Sequence, residues 1–270
     1  MLRDEVTTLS YISAKSEKTR HITLIDPAKQ DPEVAANRAM VAIECGSEMI
    51  FVGGSTDTPD EIVHATCVAI QESLELRVFA ASQDPNGDED SWKIPVVLFP
   101  GGAHALSPAA DAITFMMLMN SKSRKFLVGE QLRGAPYLKK FGVEPLPTGY
   151  VVCAPGGRVG EVGEAELIQP NDVDLVHSYA LTASMYGFKA LYLEAGSGAD
   201  KQVNPRLIES ASKCDDLVLI IGGGIRTAEQ AKIAADAGAD WIVTGTLTED
   251  ADNLEDLRTK LLSVISAINS

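Results

Sequence analysis

The chain of 270 residues is 45% apolar but only 6% aromatic, which suits one globular α/β barrel domain with an aliphatic interior better than two average domains. Its 38 Asp and Glu against 23 Lys and Arg leave a formal charge of −15, which excludes a sequence-independent nucleic-acid surface and a polybasic membrane anchor. An anionic substrate must then be gripped by local features: backbone amides, a metal ion or a few placed cations.

Residues 1–20 carry charges throughout and lack the apolar core of a signal peptide. No apolar run approaches the ~20 residues needed to span a bilayer. Cys45, Cys67, Cys153 and Cys214 show no C-x-x-C spacing and read as buried free thiols of a reducing compartment. A cytoplasmic protein without a transmembrane segment is expected.

Strands are expected at 22–26, 49–52, 94–99, 112–117, 149–153, 190–194, 217–221 and 241–244, with helices in most of the intervals. Three strands are entered through one cassette, in which Gly46, Gly187 and Gly238 precede a short apolar run that ends at Gly53, Glu194 and Gly245 with identical spacing. A glycine at a helix end feeding an apolar strand is what the αβ units of a parallel sheet require. Helix starts carry matching signals: Thr58-Pro59-Asp60-Glu61 and Thr227-Ala228-Glu229-Gln230 read as capping boxes, and Asp31-Pro32 and Asn204-Pro205 place a capping side chain before a first-turn proline. The pattern predicts a (β/α)₈ TIM barrel.

One interval breaks the alternation. Between Phe99 and Ala112 stand Pro100-Gly101-Gly102 and Ser107-Pro108, so no covering helix can form and the outer wall has a gap. Its flanks, Phe99, Ala103, Leu106, Phe115 and Met117, are apolar. Such a slot suits a long hydrocarbon tail, or is covered by another loop or a partner subunit. The acidic stretch 82–92 reads as an exposed loop.

The C-terminal rim of such a barrel carries its chemistry. Strand 217–221 runs into Gly222-Gly223-Gly224-Ile225-Arg226 and strand 241–244 into Gly245-Thr246, bare backbone at the two loops that build the usual phosphate site. Asp26, which ends the first strand before Pro27, is either a turn former or, with Ser55, a Mg²⁺ site, because that ion takes one or two carboxylates and otherwise keeps water and substrate phosphate oxygens. Glu194 ends a buried strand and needs a partner such as a substrate hydroxyl or a rim cation, and Tyr192 shares its face of that strand. Lys29 and Arg226 are candidate anion partners or solvated surface cations. His21, His64, His104 and His177 fall on no zinc spacing.

Taken together, Ile22-Thr23-Leu24-Ile25-Asp26-Pro27-x-Lys29, Val52-Gly53-Gly54-Ser55, Phe99-Pro100-Gly101 with Ser107-Pro108-x-x-Asp111-Ala112, Tyr192-Leu193-Glu194-Ala195-Gly196-Ser197-Gly198, Gly222-Gly223-Gly224-Ile225-Arg226 and Gly245-Thr246 resemble the geranylgeranylglyceryl phosphate synthases of archaea. The Gly102-Ala103-His104 stretch departs from that family, in which a Ser or Asn stands nearer Gly102, and Ala28 stands where the family often has an acid. The resemblance implies ether formation between sn-glycerol 1-phosphate and geranylgeranyl diphosphate by a Mg²⁺-dependent homo-oligomer. It implies Asp26 and Ser55 as metal ligands and Lys29 at the diphosphate. Tyr192, Leu193, Glu194, Ala195, Gly196, Ser197 and Gly198 would hold the glycerol end, and Gly223, Gly224, Gly245 and Thr246 its phosphate, with Glu194 and Tyr192 catalytic. A bacterial-type heptaprenylglyceryl phosphate synthase, a sugar-phosphate isomerase or lyase, and a metabolite-binding protein on the same barrel remain as alternatives.

Overall fold

A computed structural model describes residues 7–54, 58–268 and 270. Eight parallel strands close into a barrel: β1 (Arg20–Ile25), β2 (Met49–Gly53), β3 (Val96–Phe99), β4 (Ala112–Leu118), β5 (Glu144–Val152), β6 (Ala190–Glu194), β7 (Val218–Gly222) and β8 (Trp241–Thr244), each bonded to the next and β8 to β1. Around them run α1 (Thr8–Ser13), α2 (Pro32–Glu44), α3 (Asp60–Gln83), α4 (Glu130–Phe141), α5 (Gly157–Val162), α6 (Val173–Met185), α7 (Pro205–Ala211), α8 (Ala228–Asp236), α9 (Thr246–Glu249) and α10 (Leu254–Ile268).

The repeated cassette has the expected cause. Gly46, Gly187 and Gly238 follow α2, α6 and α8 with φ of +105°, +80° and +101°, a region that side-chain-bearing residues avoid. Thr227 and Gln230 form the reciprocal capping box of α8, and Asn204 accepts the Arg206 N–H at the start of α7. The box expected at Thr58 is displaced: α3 begins at Asp60 after Pro59, and Pro59 makes no side-chain cap. The helix continues to Gln83, so the exposed loop is shorter than the sequence suggests.

β5 begins at Glu144, ahead of the expected 149. Pro145 and Pro147 hide its first half, since proline removes a donor and argues against a strand. They are tolerated because that half pairs with β4 alone; β6 joins only from Thr148, opposite Ala190. Between β3 and β4 the expected gap is present: no helix lies there, and the loop 100–111 takes its place with Ala105, Leu106 and Ala110 buried.

Two cores result. Aliphatic side chains fill the layer between barrel and helices. Inside the barrel, against the expectation of an aliphatic interior, four aromatics cluster: Phe99 lies 5.3 Å from both Phe51 and Tyr192 and 6.0 Å from Tyr150, ring centre to ring centre, and Tyr150 lies 5.1 Å from Tyr192. Rings at such separations add attraction beyond the area they bury. At the opposite end α1 plugs the barrel, with Trp241 Nε1 donating to the Ile12 carbonyl and Arg20 stacked over the Trp241 ring. The aromatic layer is thus a rigid floor directly beneath the C-terminal rim.

Candidate active site

Glu194 is the last residue of β6, and the strand's alternation turns it inward, to the same side as Tyr192 and opposite Leu193. It is buried, 5% exposed, and opens on a cavity at the barrel mouth. Its Oε1 accepts the Gly196 N–H at 2.6 Å and its Oε2 accepts the Tyr150 hydroxyl at 3.2 Å. Burial pushes its carboxyl above the ordinary range, opposed by bonds from the Gly196 amide, the Tyr150 and Tyr192 hydroxyls and the Ala195 amide. A carboxylate held this way is a poised proton acceptor.

The glycines of β7 make room for it. A Cβ on Gly223, whose φ is +68°, would stand 2.2 Å from Glu194 Oε1, and one on Gly222 would stand 1.7 Å from the Tyr192 hydroxyl oxygen. The triple glycine therefore accommodates the acid and the tyrosine, as well as baring backbone. Tyr192 itself lies deeper than Glu194, with its hydroxyl bonded to that carboxylate. Its ring is fully buried below Glu194 and forms no part of the cavity wall, because Gly222 takes its hydroxyl underneath the rim. Tyr150 lines the wall instead. Sequence reasoning missed it, although inward alternation along β5 and its register opposite Tyr192 both point to it.

Of the 192–198 motif, Glu194 and Ser197 face the cavity, whereas Leu193 and Ala195 pack outward against the helices. Gly196 and Gly198 adopt φ of +107° and +71°, and the Gly198 carbonyl accepts Arg226 Nη2, tying the β6 loop to the β7 loop. Gly223, Gly224, Gly245 and Thr246 stand beside this cavity, not in its wall. The start of α8 is closed by its own capping box, while α9 begins at Thr246 with no side-chain cap. A short extra helix after the eighth strand is the element that completes a barrel phosphate site.

Asp26 follows β1 and is 5% exposed. Its Oδ1 accepts the Ala28 N–H at 2.9 Å, and its Oδ2 faces Gly54, where a Cβ would approach to 2.5 Å. Both residues line the cavity. No group of three or more His, Cys, Asp or Glu among the described residues could hold a metal ion. Ser55 lies outside the described residues.

Lys29 pairs with Glu249 at 2.5 Å on the rim and stays partly exposed. The cations of the cavity wall are Lys125 and Arg158, which no sequence motif flagged.

The cavity, about 410 Å³, does not stop at the mouth. It runs from Asp26 and Glu194 over Phe99 into the missing-helix gap, between loop 100–106 and β4, and under Gly134 and Leu138 of α4. Phe99, Ala103, Leu106 and Phe115 line it as expected, Met116 lines it as well, and Met117 does not. Apart from Lys125, Glu130 and Gln131 the far half is apolar, so the arrangement offers polar chemistry at one end and a hydrocarbon slot at the other.

Residues 88–264 match the PcrB family. The chain is 41% identical over 256 residues to a geranylgeranylglyceryl phosphate synthase of Methanococcoides burtonii, covering 94% of this chain and 95% of that protein. It is likewise 41% identical over 254 residues to the protein of that name in Methanothermobacter marburgensis, with 94% and 95% covered. Among solved structures, the (S)-3-O-geranylgeranylglyceryl phosphate synthase of Thermoplasma acidophilum, in complex with its substrate sn-glycerol-1-phosphate, matches with a TM-score of 0.86 and 36% identity, covering 97% of this chain and 98% of that one. Tryptophan synthase of Mycobacterium tuberculosis, at 16% identity and a TM-score of 0.57 over 98% of this chain and 100% of that one, shares the barrel fold alone. With the barrel, its missing third helix and its acid-lined mouth all in place, the chain belongs to the PcrB family, among the geranylgeranylglyceryl phosphate synthases.

Proposed function

We propose that this protein joins sn-glycerol 1-phosphate to geranylgeranyl diphosphate through an ether bond, the first step of archaeal-type ether-lipid assembly. The glycerol hydroxyl attacks C1 of the prenyl donor; the new O–C1 bond forms, the C1–O bond to diphosphate breaks, and the hydroxyl proton passes to Glu194. General-base help of this kind is typically worth ~10²–10⁴-fold. Tyr150 and Gly196 orient the receiving carboxylate. The acceptor's phosphate lies against the backbone of Gly223, Gly224, Gly245 and Thr246, with Ser197 at the glycerol.

Asp26 is the residue that would hold Mg²⁺, with Ser55 as the second ligand that the resemblance implies. The fit rests on Oδ2, which faces the cavity with no Cβ at position 54 to crowd it, and on the ion's preference for one carboxylate plus water and substrate phosphate. When bound, the ion supplies neutralisation of the charge that develops on the leaving diphosphate. The tail enters the apolar slot, where each buried CH₂ contributes about 0.8 kcal/mol.

The observation that carries this reading is the shared cavity: Asp26 and Glu194 open on one space that continues into a slot lined by Phe99, Leu106, Phe115 and Phe126. No described helix is long and apolar enough to cross a membrane. The four cysteines are buried and unpaired, consistent with work in a reducing cytoplasm, and a homo-oligomer is part of the same proposal. The test is incubation with labelled sn-glycerol 1-phosphate, Mg²⁺ and a series of prenyl diphosphates. A C20 ether product that depends on the metal is expected. Absence of any ether product overturns the assignment, and a preference for a longer donor favours the bacterial-type reaction.

A further inference from the structure

The loop 100–111 spans the open side of the barrel, and side chains from the flanking helices hold it. From α3, Asp60 accepts the Leu106 N–H at 2.8 Å, His64 Nδ1 meets Ser107 Oγ at 2.9 Å, and Gln71 Nε2 donates to the Ala109 carbonyl at 3.2 Å. From the opposite side, Glu130 at the start of α4 reaches in, and its Oε2 accepts the Ala103 N–H at 2.7 Å. Gly102 leaves the space for it, since a Cβ there would stand 2.9 Å from the same oxygen. Glu130 is 9% exposed, and its Oε1 is backed by Arg133 Nη1 at 3.1 Å and Lys125 Nζ at 3.9 Å.

The placement needs a reason. Glu130, Ala103, Leu106 and Gly134 all line the hydrocarbon slot, and a carboxylate in such a wall is costly unless it is tightly bonded. Glu130 meets that condition by joining loop 100–106 to α4, the two elements that meet in the slot's wall. A Cβ on Gly134 would lie in ordinary contact with Ala103, 3.7 Å, and Leu106, 3.8 Å, so the seam is close-packed along its length. The Gly102-Ala103-His104 stretch is the receiving side of the bond.

We propose that Glu130 is a positioning residue that latches loop 100–106 to α4 and thereby shapes the slot for the prenyl tail. The proposal rests on the function given above, in which that slot takes the donor's hydrocarbon.

The test is steady-state kinetics of Glu130→Ala and Glu130→Gln with both substrates varied, together with amide hydrogen exchange at Ala103. Glu130→Ala should raise KM for geranylgeranyl diphosphate about tenfold, the scale of one lost bond to a carboxylate. KM for sn-glycerol 1-phosphate should stay within about twofold, because its site lies at the other end of the cavity. Glu130→Gln keeps an accepting oxygen and should restore most of the donor affinity. Exchange at Ala103 should quicken in the Ala variant and less in the Gln variant. An unchanged donor KM, an equal rise in both KM values, or unchanged exchange at Ala103 overturns the latch. Should Glu130→Ala not fold, Glu130→Met, similar in length and lacking a carboxyl oxygen, takes its place. If the wild-type protein makes no ether product, the functional assignment fails by itself, while the exchange measurement still decides whether the latch exists.

Discussion

Tyr150 reaches Glu194 diagonally: in the β5–β6 register Tyr150 stands opposite Tyr192 and Val152 opposite Glu194, yet the Tyr150 hydroxyl donates to Glu194 Oε2 at 3.2 Å. With Gly196 N–H on the other oxygen at 2.6 Å, the carboxylate is fixed at both atoms while still facing the cavity. Such fixing is what a proton acceptor in a dry site needs, since orientation is set before substrate arrives.

Glu194→Gln should therefore lower turnover by at least about a hundredfold, the lower end of what a general base contributes. The amide keeps the size of the side chain and an oxygen for Gly196, so circular dichroism should show an intact fold. Turnover within a few-fold of wild type would remove Glu194 as the base.

The raised Glu194 pKa gives two signs to check. For catalysis the group must be deprotonated, so the acid limb of the turnover profile should lie above that of an ordinary carboxylate near 4.5. Tyr150→Phe removes a donor that holds the pKa down and should move that limb to higher pH. For stability, the native state binds this proton more tightly than the unfolded chain, so the contribution is present at low pH and lost as pH rises through the raised range. Glu194→Gln escapes that loss and should melt higher than wild type at pH 8, the difference closing below the unfolded value of 4.5. A limb unmoved by Tyr150→Phe, or a variant no more stable at pH 8, contradicts the assignment.

How much of this was readable without coordinates depends on range. β6 and β8 were located to the residue, because each is announced by a glycine that must turn left-handed and closed by a rim residue within one short window. The missing helix was equally local, since Pro100, Gly101, Gly102 and Pro108 forbid it without reference to anything else. Tyr150 was not: its role exists only through pairing with a neighbouring strand whose start was hidden by Pro145 and Pro147. The Lys29–Glu249 pair is hidden for the same reason, because Glu249 lies near the other end of the chain and meets Lys29 only when β8 closes against β1. Tyr192 was placed on the correct face, but face alone does not give depth. Strand alternation says in or out; whether an inward residue reaches the mouth or lies under it depends on the barrel's layers.

Asp26→Asn removes the charged oxygen that faces Gly54 and keeps a neutral one of the same shape. The Mg²⁺ concentration for half-maximal turnover should rise at least about tenfold, since this is the sole carboxylate proposed for an ion that binds oxygen donors largely through charge. The measurement is a metal titration at saturating substrates. An unchanged midpoint refutes the ligand role, whatever happens to the maximal rate.

His21 sets an acid limit on stability. It lies on the outward face of β1, in the layer between barrel and helices, with Nδ1 at 2.8 Å from Ser47 Oγ and Nε2 at 3.0 Å from Thr244 Oγ1, and burial pushes its pKa down to about 3. The unfolded chain takes up a proton near 6.5 and the native state does not, so this stability is full above 6.5 and falls as pH drops toward about 3, by up to ~1.4 kcal/mol per pH unit. Denaturant midpoints between pH 7 and 5, before most carboxylates titrate, should show the decline, and His21→Gln should flatten it. Equal slopes for both proteins would show that some other group governs this window.

The length of the slot should govern the length of the donor. Ala103 and Leu106 of the loop and Gly134 and Leu138 of α4 all line it, so side-chain volume added at position 103 or 106 takes space from the tail. Each CH₂ denied burial forfeits about 0.8 kcal/mol, so excluding a single five-carbon unit costs several kcal/mol of binding, enough to reverse a preference. Ala103→Leu or Leu106→Phe should therefore shift the best donor from C20 toward C15 or C10 in a competition assay with mixed prenyl diphosphates, with KM for sn-glycerol 1-phosphate nearly constant. Leu106 is itself buried, so its replacement risks instability that Ala103→Leu, facing the cavity, does not share to the same degree. If both variants fold and keep the wild-type order of donors, the tail takes another path and the gap between β3 and β4 has no part in selecting it.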